Sequence, residues 1–166
     1  QVLAYSGDKL NEQDVLDIFA LESLEEKINL LNSIKANDVK DILNRLSTYI
    51  ARGTDIKRLT NDLLIMLKDI LIYSNTRKEE FLEQLHEEDA INLMRAIPRK
   101  TILEMVDILL AALKDYKFVT SINPLFEITL LKLANLFSNG EEVVEEIPTS
   151  VKKIVVKPHQ EEEDES

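Results

Sequence analysis

Asn123-Pro124-Leu125-Phe126-Glu127-Ile128-Thr129-Leu130-Leu131-Lys132-Leu133-Ala134 is the stretch on which the reading of this chain turns. Asn caps a helix through its side-chain oxygen, and Pro suits the first helical turn, where its missing N–H costs nothing. The pair predicts a helix over 124–137. That helix is too apolar for an ordinary surface helix. Leu125, Ile128, Leu131 and Leu136 form one stripe; Phe126, Leu130, Leu133 and Phe137 form another. A helix apolar on two sides must be covered on two sides, by its own fold or by another chain.

Working back from it, the chain is a series of helical segments. Asp55 opens a long helix to about Tyr73, whose middle, Leu63-Leu64-Ile65-Met66-Leu67, is apolar all round and predicts a central element. Pro98 opens another over 98–117, nearly continuously apolar from Ile102 to Leu113. Asn37 or Asp38 starts a helix carrying Val39, Ile42, Leu43, Leu46 and Ile50, and Gly53 ends it. Asn11 caps a short helix with Val15, Leu16, Ile18 and Phe19. Ser23-Leu24-Glu25-Glu26 and Thr76-Arg77-Lys78-Glu79 have the capping-box pattern. Each therefore predicts a helix start, the second opening a polar helix with Phe81, Leu82 and Leu85. A short helix with Ile91, Leu93 and Met94 follows. Val2 to Tyr5 read as a helix end closed by Ser6-Gly7. The fold class expected is all-α, a compact bundle of six to seven helices followed by a disordered acidic tail.

Composition agrees. With 45% hydrophobic residues in 166, the chain can bury a core of one domain. Its 3 Gly and 4 Pro sit mostly at segment boundaries. The net charge is −11, and Ser138–Ser166 holds 9 acidic and 3 basic residues, which is −6 of it. No strongly basic face for nucleic acid is expected from such a balance. Arg95, Arg99 and Lys100 form a small basic group, read as solvated helix ends. Val151 to Val156 read as apolar residues of the tail. No stretch reaches the ~18 apolar residues of a membrane span, and no signal peptide is visible. The chain starts with Gln1, which reads as a piece of a longer protein.

Chemistry is hard to find. There is no cysteine, so no thiolate site or disulfide, which fits a cytoplasmic protein. Phosphate loops need clustered glycines, and Gly7, Gly53 and Gly140 are scattered. Glu83-Gln84-Leu85-His86 has the Glu-x-x-His spacing of metal-carboxylate bundles, but the second motif and facing glutamates are missing. Glu87-Glu88-Asp89 point to different sides of a helix. The expectation is a non-enzyme with no catalytic, metal or cofactor residue.

The residues as a set resemble bacterial DNA polymerase III gamma/tau subunits. Val2-Leu3-Ala4-Tyr5-Ser6-Gly7-Asp8-Lys9-Leu10 followed by Asp14-Val15 is similar to the end of that family's lid subdomain. Tyr49-Ile50-Ala51-Arg52-Gly53-Thr54-Asp55-Ile56-Lys57-Arg58-Leu59 with Asp62-Leu63-Leu64 resembles its Gly-x-Asp turn and Leu-rich helix. Asn123-Pro124 resembles the start of its last collar helix, although Leu125 stands where the family often has Arg. The resemblance covers roughly 1–137. It implies the end of the lid and a connector over 1–22, a helical collar over 23–137 and an acidic linker over 138–166. It implies a clamp-loader subunit whose ATP and Mg sites lie in upstream domains. The partners it implies are gamma/tau copies, delta and delta prime, with no direct contact to nucleic acid or membrane. Contacts are expected on 55–73, 98–117 and 124–137, at Ile72, Leu110, Phe126 and Leu130. Two other readings compete: a monomeric helical adaptor with an apolar groove, and a metal-carboxylate bundle resting on Glu83 and His86.

Overall fold

In the computed structural model, residues 11–138 are described, with the backbone alone given for 13 and 15–23. They form six α-helices: α1 Glu12–Lys35, α2 Val39–Ala51, α3 Ile56–Thr76, α4 Glu87–Ala96, α5 Arg99–Asp115 and α6 Ile122–Asn135. Single 3-10 turns lie at Glu79–Phe81 and Tyr116–Phe118, and no strand occurs among the described residues. The all-α expectation is met. The expectations for Val2–Gly7, Val151–Val156 and the acidic tail lie outside the described residues.

Local chemistry sets most helix limits. Asp38 and Asp55 cap α2 and α3, accepting from the N–H of Asp41 and of Arg58 at 3.1 Å each. Gly53 follows the end of α2 at φ +72°, a left-handed conformation that a side chain would strain. Pro98 precedes α5, and its carbonyl accepts the first helical bond, from Ile102, at 3.0 Å.

Three expected starts are corrected. α1 runs without interruption through Ser23, so Ser23-Leu24-Glu25-Glu26 caps nothing. Phe19-Ala20-Leu21-Glu22 contains no breaker, and helix propagation is favourable once nucleated. The capping box belongs instead to Asn11 and Asp14, with Asn11 Oδ1 accepting from Asp14 N–H at 2.8 Å. The helix therefore crosses the expected 22/23 boundary as one element.

Thr76 ends α3 rather than opening a helix. Arg77 turns left-handed at φ +57°, and only a 3-10 turn follows. Glu79 instead reaches forward, accepting from the N–H of Glu87 at the start of α4 at 3.3 Å. The last helix starts at Ile122, with Ser121 rather than Asn123 in the cap position. Pro124 is tolerated because it still lies in the first turn, whose N–H groups have no intrahelical acceptor.

α3 packs against α4, α5 and α6, and α6 packs against α1, α2, α3 and α5. The core between them holds Leu63, Met66, Leu67, Ile70, Met105, Leu109, Phe126, Leu130 and Leu133, all without solvent exposure. Two helices thus share the centre that the sequence assigned to α3 alone. Thr60 and Tyr116 pair their hydroxyls inside it at 2.8 Å. Since Thr60 gives its proton to the Ile56 carbonyl, Tyr116 is the donor.

The link from α3 to α4 is held by one carboxylate. Asp69 is fully buried in α3 and accepts from the backbone N–H of Glu83 (3.1 Å), Gln84 (2.8 Å) and Leu85 (3.0 Å). The bent, non-helical segment before α4 has N–H groups with no helical or ladder partner, and Asp69 supplies one. Lys27 and Asp62, at 2.7 Å and largely buried, tie α1 to α3.

Candidate interaction surface

The outward sides of the bundle carry two sets of apolar side chains. The first lies on α2 and α6, which pack side by side. Ile128 and Leu131 of α6 are 50% and 37% exposed, and α2 adds Val39, Leu43 and Ile50. The second lies on α5 and the turn after it. Leu103 and Leu110 stand at helical spacing, Leu110 at 49% exposure, and Phe118 (79%) and Val119 follow. Single exposed apolar residues are ordinary, whereas rows of them at helical spacing mark contact surfaces.

Polar groups frame the first set. Glu26 of α1 grips Arg52 through two bonds of 2.9 and 2.6 Å. The Arg52 hydrogen bonds hold the Glu26 carboxyl below its usual range. Asp41 is lowered too, first by the Ser33 hydroxyl and then by Arg45. Arg52 also covers the Tyr49 ring, 5.5 Å from its centroid. Tyr49 is buried, and burial raises its phenol.

The expected contact residues separate. Leu110 is exposed and Ile72 is half-buried. Phe126 and Leu130 are enclosed in the chain's own core. Of the two stripes on α6, the one containing them faces inward; Ile128 and Leu131 face out. Val39, Leu43 and Ile50 of α2 are exposed as well, on a helix where the sequence reading expected no contact. The signal for them was width: with Ile42, Leu46 and Tyr49 already facing inward, three further apolar positions exceed what one buried face accommodates.

The Glu83–His86 spacing loses its premise. Residues 82–86 are not helical: Glu83 bonds Lys68, and His86 is the exposed cap position of α4. Among the described residues, no group of three His, Asp or Glu side chains could hold a metal ion. The acids at the start of α4 are engaged locally, with Glu87 accepting from the Tyr73 hydroxyl at 3.1 Å.

The fold defines a class: an all-α helical bundle that exposes apolar side chains on two of its sides. The family is more specific. Residues 10–145 match the family described as DNA polymerase III subunits gamma and tau domain III, and the chain belongs to it. It is also 26% identical over 156 residues to the DNA polymerase III subunit tau of Bacillus subtilis (strain 168). That match takes in 93% of this chain and spans 28% of the relative's length. No solved structure matches the chain significantly. Among the described residues, no helix is long and apolar enough to cross a membrane.

Proposed function

We propose that this domain is the oligomerisation collar of a clamp-loader gamma/tau subunit, holding copies of the subunit and its sister subunits delta and delta prime together. The observation that carries this reading is the presence of two different apolar surfaces, one on α2 and α6 and one on α5 with Phe118. A two-fold dimer uses one surface twice, whereas a head-to-tail ring or arc needs two that are complementary. The ring would serve the loading of a sliding clamp in DNA replication, in the cytoplasm. Its ATP and Mg sites are assigned to other domains of the parent. The glycines Gly7, Gly53 and Gly140 are too dispersed to cradle a phosphate here.

Complementation tests the two-surface geometry. One variant carries Ile128→Glu and Leu131→Glu; the other carries Leu103→Glu and Leu110→Glu. By light scattering, each alone should fail to self-associate, and their mixture should form a one-to-one complex through the two intact surfaces. Sister subunits are added where the chain alone is monomeric. A mixture that stays monomeric while the unchanged chain assembles rejects the head-to-tail arrangement. An unchanged chain that remains monomeric with every sister subunit, yet binds an isolated amphipathic helix, favours the adaptor.

A further inference from the structure

The outward sides of α5 and α6 carry their charges in the same order. α6 has only two charged residues, Glu127 and Lys132, and both are exposed. The exposed residues between them are Ile128 and Leu131. From N- to C-terminus that side reads acid, two apolar residues, base. α5 repeats the order. Asp107 and Lys114 are exposed, and the exposed residues between them are Leu110 and Ala111. Asp107, Leu110 and Lys114 stand at i, i+3 and i+7, which is one side of a helix. The other charged residues of α5 are Arg99 and Lys100 in its first turn, Glu104 three residues before Asp107, and Asp115 at its end. Arg99 is turned toward α3, donating to Ser74 Oγ (3.3 Å) and Asn75 Oδ1 (3.4 Å). None of Asp107, Lys114, Glu127 and Lys132 is in an ion pair among the described residues, where the pairs are Lys27–Asp62, Arg45–Asp41, Arg52–Glu26 and Lys68–Glu83.

Two helices with the same charge order fit together in one direction only. Laid parallel, they set acid against acid and base against base. Laid antiparallel, they set acid against base at both ends of the apolar contact. At 1.5 Å per residue, Glu127 and Lys132 are ~7.5 Å apart along their axis and Asp107 and Lys114 ~10.5 Å, a difference the long Glu and Lys side chains span. Leu110 then falls opposite the gap between Ile128 and Leu131, and Ala111 leaves room beside it. Within one chain this match cannot form, because α5 and α6 pack on each other through their buried sides while these four charges face outward.

We propose that α5 of one copy lies antiparallel on α6 of a second copy, with Leu110 between Ile128 and Leu131, Asp107 beside Lys132, and Lys114 beside Glu127. This rests on the collar reading and gives it a direction and a register. The apolar residues supply the association. The charges select its direction, since exposed ion pairs add little affinity while like charges set face to face are costly.

Charge reversal reads the direction. The dissociation constant of the 166-residue chain is measured by sedimentation over a dilution series at low salt. Asp107→Lys and Lys132→Glu should each weaken association about tenfold, and by less in about 0.5 M salt, where screening is stronger. A chain carrying both should return to within about twofold of the unchanged chain. Lys114→Glu with Glu127→Lys should recover in the same way, and this pair gives the reading if a variant of the first fails to fold. Asp107→Lys with Glu127→Lys sets like charges together at both ends and should associate most weakly. An Asp107→Lys chain that associates more tightly reports a parallel contact, and one that is unchanged removes Asp107 from the contact; either overturns the proposal. A chain that is monomeric alone yet assembles with delta and delta prime overturns it too, while leaving the collar reading in place. Failure of the collar reading is a different result, no assembly with any of these subunits.

Discussion

The two apolar sides of α6 have nearly the same composition and opposite fates. Phe126, Leu130 and Leu133 are sealed by α1, α2, α3 and α5, whereas Ile128 and Leu131, on the same helix, face water. Propensity and hydrophobicity do not distinguish them. The difference is the number of surrounding helices: the bundle supplies enough to cover one side of α6 and leaves the other exposed. The inner side contributes stability to the chain, and the outer side is the one that the proposed collar would use for association.

Truncating the inner side should therefore show the largest effect. Phe126→Ala removes a fully enclosed ring and should cost about 4 kcal/mol in denaturant unfolding. A cost below about 1 kcal/mol would place Phe126 at a surface and erase the contrast. Next in size is the buried carboxylate. Asp69→Ala leaves three backbone N–H groups without their acceptor and should cost roughly 3 kcal/mol, with faster hydrogen exchange at Glu83, Gln84 and Leu85. Unchanged exchange there would mean that the 82–86 segment holds without it.

The outer side sharpens the comparison by the smallness of its effect on one chain. At a dilution where the protein is monomeric, Ile128→Glu should change stability by less than about 0.5 kcal/mol. A larger loss would assign Ile128 to the fold rather than to a contact.

The smallest effect concerns the polar frame. Glu26 is held below its usual 4.5 by Arg52, so its contribution is complete above the unfolded value and is lost as pH falls through the folded one. The pair is well exposed, so screening limits it to about 0.5 kcal/mol. Thermal melts from pH 6 to about pH 3 should fall less steeply for Glu26→Gln than for the unchanged chain. Parallel curves would remove the pair from the acid sensitivity.

Much of this architecture was legible along the chain because its signals are local. Asp38 and Asp55 cap where they stand, Gly53 permits the turn it makes, and the period of Leu63, Met66, Leu67 and Ile70 names a buried helix without reference to anything distant. The same locality explains the errors. Ser23 and Thr76 carry capping patterns, but a cap forms only where the helix is free to begin. The helix through Ser23 was already propagating, and Thr76 lies at the end of one.

The all-helical class, the caps of α2 and α3 and the excess of apolar surface follow from residue order, since each depends on neighbours within a turn or two. Which excess faces inward does not. Phe126 is core and Ile128 is surface because α3 and α5 arrive on one side of α6, and that arrangement rests on contacts between residues tens of positions apart. Asp69 belongs to the same category. Its three backbone partners lie 14 to 16 residues away, and only the packed bundle brings a carboxylate in α3 to the unpaired N–H groups of the segment before α4.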